Sequence, residues 1–163
     1  MADAVMLLFR FLAYTAFGLV METIFAADGI ERACGCTIPR RVPRRYLEGF
    51  VSLYMIPLHG LGILFLLEPL FDFVAPWSWP FRYGVYAVGI TAAEVAWGFL
   101  LDKVLGFYPW DYYALSPWRV CRRGYSLWTL VPLWGVAGLV LEQYTGLVRH
   151  LAPLVAAFYG LAG

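Results

Sequence analysis

Four stretches of this chain each run for roughly twenty mostly apolar residues, and no other feature limits its fold as tightly. The hydrocarbon core of a bilayer is about 30 Å thick and an α-helix rises about 1.5 Å per residue, so about 20 apolar residues just span it. The stretches run from about Val5 to Ala27, Leu47 to Leu67, Tyr83 to Leu105 and Leu127 to Tyr144. A strand of a membrane barrel would alternate apolar and polar residues. These do not alternate, so the pattern predicts helices. A fifth apolar stretch, 147–162, is interrupted by Arg149, His150 and Pro153. It reads as an interfacial, re-entrant or short fifth helix. The expected fold class is all-α: one polytopic transmembrane helix bundle over residues 1–163, with four spanning helices plus that C-terminal element.

Composition supports the same class. Hydrophobic residues make up 62% of the 163 residues and charged ones only 14%, with a mean hydropathy of +0.70. Water-soluble domains carry about 25% charged residues. Disordered, collagen-like and disulfide-scaffold chains are excluded by the same figures. The net charge of +1 names no partner, and nothing points to nucleic acid. Asp3 stands where a cleaved leader would carry basic residues, and Glu22 interrupts the first apolar run. The first helix is therefore expected to persist in the mature protein.

Basic residues set the expected orientation. Arg32, Arg40, Arg41, Arg44 and Arg45 crowd the first loop, and Arg119, Arg122 and Arg123 the third. Loops 28–46 and 106–126 are expected to face the cytoplasm, in a membrane of the bacterial cytoplasmic type. Arg44, Arg45, Arg122 and Arg123 are candidate contacts for anionic headgroups or phosphate. In the second loop, Pro76-Trp77-Ser78-Trp79-Pro80 reads as an aromatic anchor at the headgroup layer.

An acid at the bilayer centre costs about 2.5–3.5 kcal/mol on insertion scales, so each needs a partner or a wet cavity. Thr15, Gly18 and Glu22 share one face of the first helix. Ala87, Thr91, Glu94, Gly98 and Asp102 form a small, polar stripe on the third, a face suited to close helix approach. In the second, Glu48, Ser52 and His59 fall on one side, and Pro57 frees a backbone carbonyl just before His59. Glu22, His59 and Glu94 therefore converge, with Glu48 and Asp102 nearer the cytoplasm. Arg10 is the one arginine in a span, toward the outer side. The cluster reads either as a proton, cation or polar-ligand site or as a hydrogen-bonded clasp between helices.

After the third helix comes Tyr108-Pro109-Trp110-Asp111-Tyr112-Tyr113. Trp110, Asp111 and Tyr112 are candidates for the mouth of that site. Cys34, Cys36 and Cys121 lack a standard zinc spacing and no fourth ligand is evident, so no metal is assigned. No cofactor is expected. No Walker A, dinucleotide, Gly-x-Ser-x-Gly or His-Glu-x-x-His motif occurs. No catalytic residue is assigned, and nothing demands an enzyme.

Several of these strings occur in a familiar order. They are Tyr14, Gly18 and Glu22; Arg45-Tyr46-Leu47; Pro57-Leu58-His59-Gly60; Glu94, Gly98, Phe99 and Leu100; Pro109-Trp110-Asp111-Tyr112; Trp134-Gly135; and Glu142-Gln143. In that order the chain resembles the transmembrane protein 229 family and the related bacterial family labelled ABC-transporter type IV (CmpB-like). It departs from them at His59, where tyrosine is usual, and at Tyr46, where glycine is usual. The resemblance implies a small helical membrane protein and gives no mechanism.

Three functions fit. The first expectation is a transport- or channel-like protein or subunit with an intramembrane polar site at Glu22, His59 and Glu94. The second is a lipid-binding or lipid-modifying membrane protein. The third is an accessory subunit, or a homo-oligomer, joined to its partner through small-residue faces. In each the bilayer and its anionic headgroups are the immediate surroundings.

Overall fold

The computed structural model describes residues 1–161, and every side chain among them except that of Arg44. The described chain is helical and carries no strand beyond an isolated bridge between Arg119 and Leu127. Four long helices make the body: α1 (Ala2–Cys34), α2 (Leu53–Val74), α3 (Trp79–Leu105) and α4 (Val131–Phe158). The first three are long and apolar enough to cross a membrane. Their outward faces are apolar, with Leu8, Leu12, Val20, Ile24, Phe65, Leu66 and Val88 all exposed. Exposed apolar surface on that scale suits lipid and not water.

Helix α1 outruns its predicted end at Ala27 by seven residues. One wide π-helical turn, Phe25–Gly29, carries the polar Asp28 and Gly29 without breaking the helix. Asp28 then pairs with Arg32 one turn on at 3.0 Å, while Ile30 and Cys34 turn inward and are fully buried. The helix stops where Gly35 takes the left-handed conformation at φ 65°.

Helix α2 begins six residues later than expected. Ser52 caps it, its hydroxyl accepting from the Tyr54 amide at 3.3 Å. The preceding residues cross α1 in close contact instead. A Cβ on Gly49 would lie 2.0 Å from the Thr23 carbonyl oxygen, and Leu47 takes a positive φ of 51°. Glu48 thus precedes the helix and is exposed, so it shares no helical face with His59. The helix is π-wound over Leu58–Leu67 and runs on through Glu68–Val74.

Helix α3 starts four residues early, because Pro80 falls in its first turn, where the missing amide costs nothing. Helix α4 is a single unbroken element where a span and a separate C-terminal helix were expected. Thr145, Val148, Ala152 and Ala156 make a continuous buried stripe across the supposed break. Arg149, His150 and Pro153 all lie on the exposed side of that same helix. Residue 162, the last of the expected C-terminal element, lies outside the described residues.

α1 and α4 run antiparallel: the Tyr144 hydroxyl donates to the Ala13 carbonyl at 3.0 Å, and Val148 packs on Tyr14. α3 lies along α4, and Phe71 of α2 meets Tyr86 of α3 edge-on. At one end of the bundle three ion pairs join the helices. Arg10 bonds Glu68, with Tyr14 donating to the same carboxylate. Arg82 bonds Glu142, with Tyr86 donating at 2.9 Å. Arg149 meets Asp72 at 2.7 Å.

At the other end the segment 106–130 folds as a cap. Trp110 Nε1 donates to the Tyr125 carbonyl at 2.8 Å, and the Trp128 amide to the Trp118 carbonyl at 2.8 Å. Ser116 and Thr129 tie the cap to the end of α1, donating to the carbonyls of Cys34 and Ala33, both at 2.6 Å. The core there is aromatic: Tyr108, Trp110, Tyr113 and Tyr125 pack with Ile30, Leu101 and Leu127.

Candidate functional site

A cavity of about 520 Å³ lies under this cap, between the second half of α1, the first half of α2 and the first half of α4. α3 contributes Glu94 to its wall. Most of the lining is apolar or aromatic, with Phe17, Phe25, Leu133 and Val140 among it. Its ionisable lining comprises Glu22, Asp28, His59 and Glu94, together with the phenols of Tyr112 and Tyr113 and no lysine or arginine.

His59 is placed by shape. Its ring lies against Gly18, where a Cβ would come within 2.2 Å of the imidazole Cγ. From there Nε2 stands 3.0 Å from Glu22 Oε1. The approach is a charge contact and not an aligned hydrogen bond, so it is strongest with the imidazole protonated. The π-winding of Leu58–Leu67 turns Gly60, Ile63 and Leu64 into the bundle beside it.

Glu94 is placed by hydrogen bonds. Its side chain sits at the packed face of α3, with the residue 8% exposed. The Ser126 hydroxyl and Trp134 Nε1 both donate to Oε2, the latter at 3.1 Å. Oε1 has no hydrogen-bond partner among the described residues, and it is not sealed off. No lysine or arginine lines the cavity to balance this carboxyl. Ser126 comes from the cap and Trp134 from α4, so Glu94 also fastens three parts of the fold together.

Trp110, Tyr112 and Tyr113 close the cavity from the cap side. Tyr112 stacks edge-on with Phe50 at 5.9 Å between ring centroids. Burial raises the pKa of the Tyr112 and Tyr113 phenols, and the nearby acids and thiols push both further up. Both hydroxyls therefore stay protonated and offer a neutral donor to the cavity.

Five of the residues expected from sequence thus meet at one place: Glu22, His59, Glu94, Trp110 and Tyr112. Three do not. Glu48 is exposed ahead of α2. Asp102 accepts from the Tyr125 hydroxyl at 2.6 Å and has Arg123 Nε at 3.7 Å, a clasp between α3 and the cap. Asp111 opens a short 3₁₀ turn with its side chain outside the cavity. Of the arginines expected to meet headgroups, Arg45, Arg122 and Arg123 are exposed, and the Arg44 side chain lies outside the described set. Arg40 is drawn inward and bonds Glu31 at 3.2 Å and the Ala27 carbonyl.

Sequence reasoning missed Ser126 and Trp134, which no spacing ties to Glu94. It also missed the partners of Arg10 and Arg82, although a signal existed. An arginine inside a span demands an acid at its own depth, and Glu68 and Glu142 were among the acids left unassigned.

Among the described residues no three His, Cys, Asp or Glu side chains are grouped to hold a metal ion. Cys34 is buried, and Cys36 and Cys121, packed against the same core, are free thiols. No protein-family model, curated protein or solved structure matches the chain.

Proposed function

We propose that this is an integral membrane protein whose central cavity binds a small, largely apolar molecule with a polar head, the binding step of a carrier. One observation carries this reading: a cavity of about 520 Å³ within the bundle with an apolar wall and a few convergent polar groups at Glu22, His59 and Glu94. Pockets for organic ligands have that size and that character. The lining ends at Phe17, Ile63 and Leu141. Beyond it lie the paired charges of Arg10 with Glu68 and of Arg82 with Glu142. A cavity closed by the cap at one end and stopped by paired charges at the other supports a carrier in a closed state over an open channel.

In this reading α4 is the fourth span and the arginine-rich cap end faces the cytoplasm. The likeness to the transmembrane protein 229 and CmpB-like families rests on the ordered sequence strings and agrees with a small helical membrane protein. A lipid-handling protein is the second reading, favoured by exposed Met21, Ile24 and Val140 around the cavity, which offer an acyl chain a way in from the bilayer.

The test is native mass spectrometry of the full chain released gently from its membranes. Wild-type protein is expected to carry a co-extracted molecule that Ala137→Trp, which fills the cavity, loses. A phospholipid mass supports the second reading. Each protein at the mass of its bare chain, with nothing carried, overturns both.

A further inference from the structure

The electrostatics of the cavity narrow what it takes. Four acidic or basic residues line it: Glu22, Asp28, His59 and Glu94. Asp28 is paired with Arg32. Glu22 has His59 at 3.0 Å. Glu94 has two neutral donors, both on Oε2, and no cation. A carboxyl in so apolar a place ionises only at a cost, which an opposite charge beside it offsets. The partnerless oxygen of Glu94, at a residue more than nine-tenths buried, marks where that charge would sit. The surrounding wall is of the kind that holds organic cations. Trp110, Trp134 and Tyr112 line the same cavity as Glu94, and aromatic faces attract a desolvated cation. An anion would meet three carboxylates and no guanidinium or ammonium group.

We infer that the ligand of this cavity is a hydrophobic organic monocation, with its charge against Glu94 Oε1 and its apolar groups against the aromatic and α1–α4 walls. This rests on the binding reading above. Glu94, the lining carboxyl with no charged partner in the fold, selects the ligand; Glu22 has His59 beside it and Asp28 has Arg32. A neutral molecule of the same shape gains the apolar contacts only, and an anion loses even part of those.

The test uses tetraphenylphosphonium, its near-isosteric anion tetraphenylborate, and the smaller neutral triphenylphosphine oxide. Each is equilibrated by dialysis with the full chain in lipid nanodiscs, with empty nanodiscs as the blank. Tetraphenylphosphonium is expected to bind once per chain and about tenfold or more tighter than the other two. Ala137→Trp should abolish that binding, and Glu94→Gln should weaken it about tenfold or more while leaving triphenylphosphine oxide unchanged. Equal binding of the phosphonium and the oxide to wild type overturns the inference and leaves the binding reading standing. So does undiminished phosphonium binding by Glu94→Gln. The wild-type comparison decides the matter alone if Glu94→Gln does not fold. If none of the three binds above the blank, the binding reading itself fails.

Discussion

His59 lies against Gly18 so closely that the hydrogen of glycine is the largest group the site admits, and this contact sets Nε2 3.0 Å from Glu22. Helices α1 and α2 are thereby locked in register by shape before any charge is considered. Gly18→Ala places a methyl group 2.2 Å from the ring and must push His59 aside. Overpacking of this kind costs about 1–3 kcal/mol. The expected result is a lower melting temperature in detergent, largely restored by His59→Ala in the same chain. A double variant no more stable than Gly18→Ala would show that the contact does not carry the register.

The ion pairs at the far end should behave as paired charges in a poorly solvated place. Glu68 is 4% exposed and takes bonds from both Arg10 and Tyr14. Removing the acid alone, as Glu68→Gln, strands a guanidinium and should cost about 3–5 kcal/mol. Replacing both partners, as Arg10→Met with Glu68→Met, should recover most of that loss. Unfolding midpoints in mixed detergent micelles check both, and a double variant as unstable as the single one counts against the pairing.

Ser126 and Trp134 are expected to matter through Glu94. Ser126→Ala removes one of two donors from a buried carboxylate and should destabilise by about 1–3 kcal/mol. In a Glu94→Gln background the same change should cost clearly less, because a charge-assisted bond is replaced by a neutral one. Equal costs in the two backgrounds would mean that Ser126 acts through packing alone.

Tyr108 gives the cap a pH dependence. Burial and nearby acids push its phenol up to about 12, and its hydroxyl donates to the Arg123 carbonyl. An unfolded tyrosine titrates near pH 10. The raised value in the folded state is therefore worth full stability below about pH 10, lost progressively as the pH rises from there to about 12. Alkaline unfolding followed by circular dichroism should start near pH 10 in wild type. Tyr108→Phe should be less stable at neutral pH and show a flatter decline over pH 10–12. An unchanged slope would contradict the assignment.

Asp111, for all its prominence in the string Pro109-Trp110-Asp111-Tyr112, lies outside the cavity. Asp111→Asn should leave cavity binding within about twofold of wild type, a change under about 0.5 kcal/mol. Loss of binding in that variant would return it to the site.

The sequence by itself determined the solvent and the class of fold. Runs of apolar residues near the bilayer thickness permit helices and forbid a soluble core, whatever the tertiary arrangement. It also exposed Glu22, His59 and Glu94, because an ionisable group in such a run needs a reason to be there. Helix ends were less legible. Asp28 and Arg149 look like interruptions in a one-dimensional pattern, yet each lies within a continuous helix with a partner beside it. Glu48 reads as continuing the face of His59, but the chain crosses α1 at Gly49 and enters α2 only after Ser52. Tertiary structure alone decided which acids are paired. Arg10 meets Glu68 and Arg82 meets Glu142, 58 and 60 residues away, and no local spacing carries that information. The same packing left Glu94 with two neutral donors and one unsatisfied oxygen. Charge balance is a property of neighbours in space, and only the folded chain says who the neighbours are.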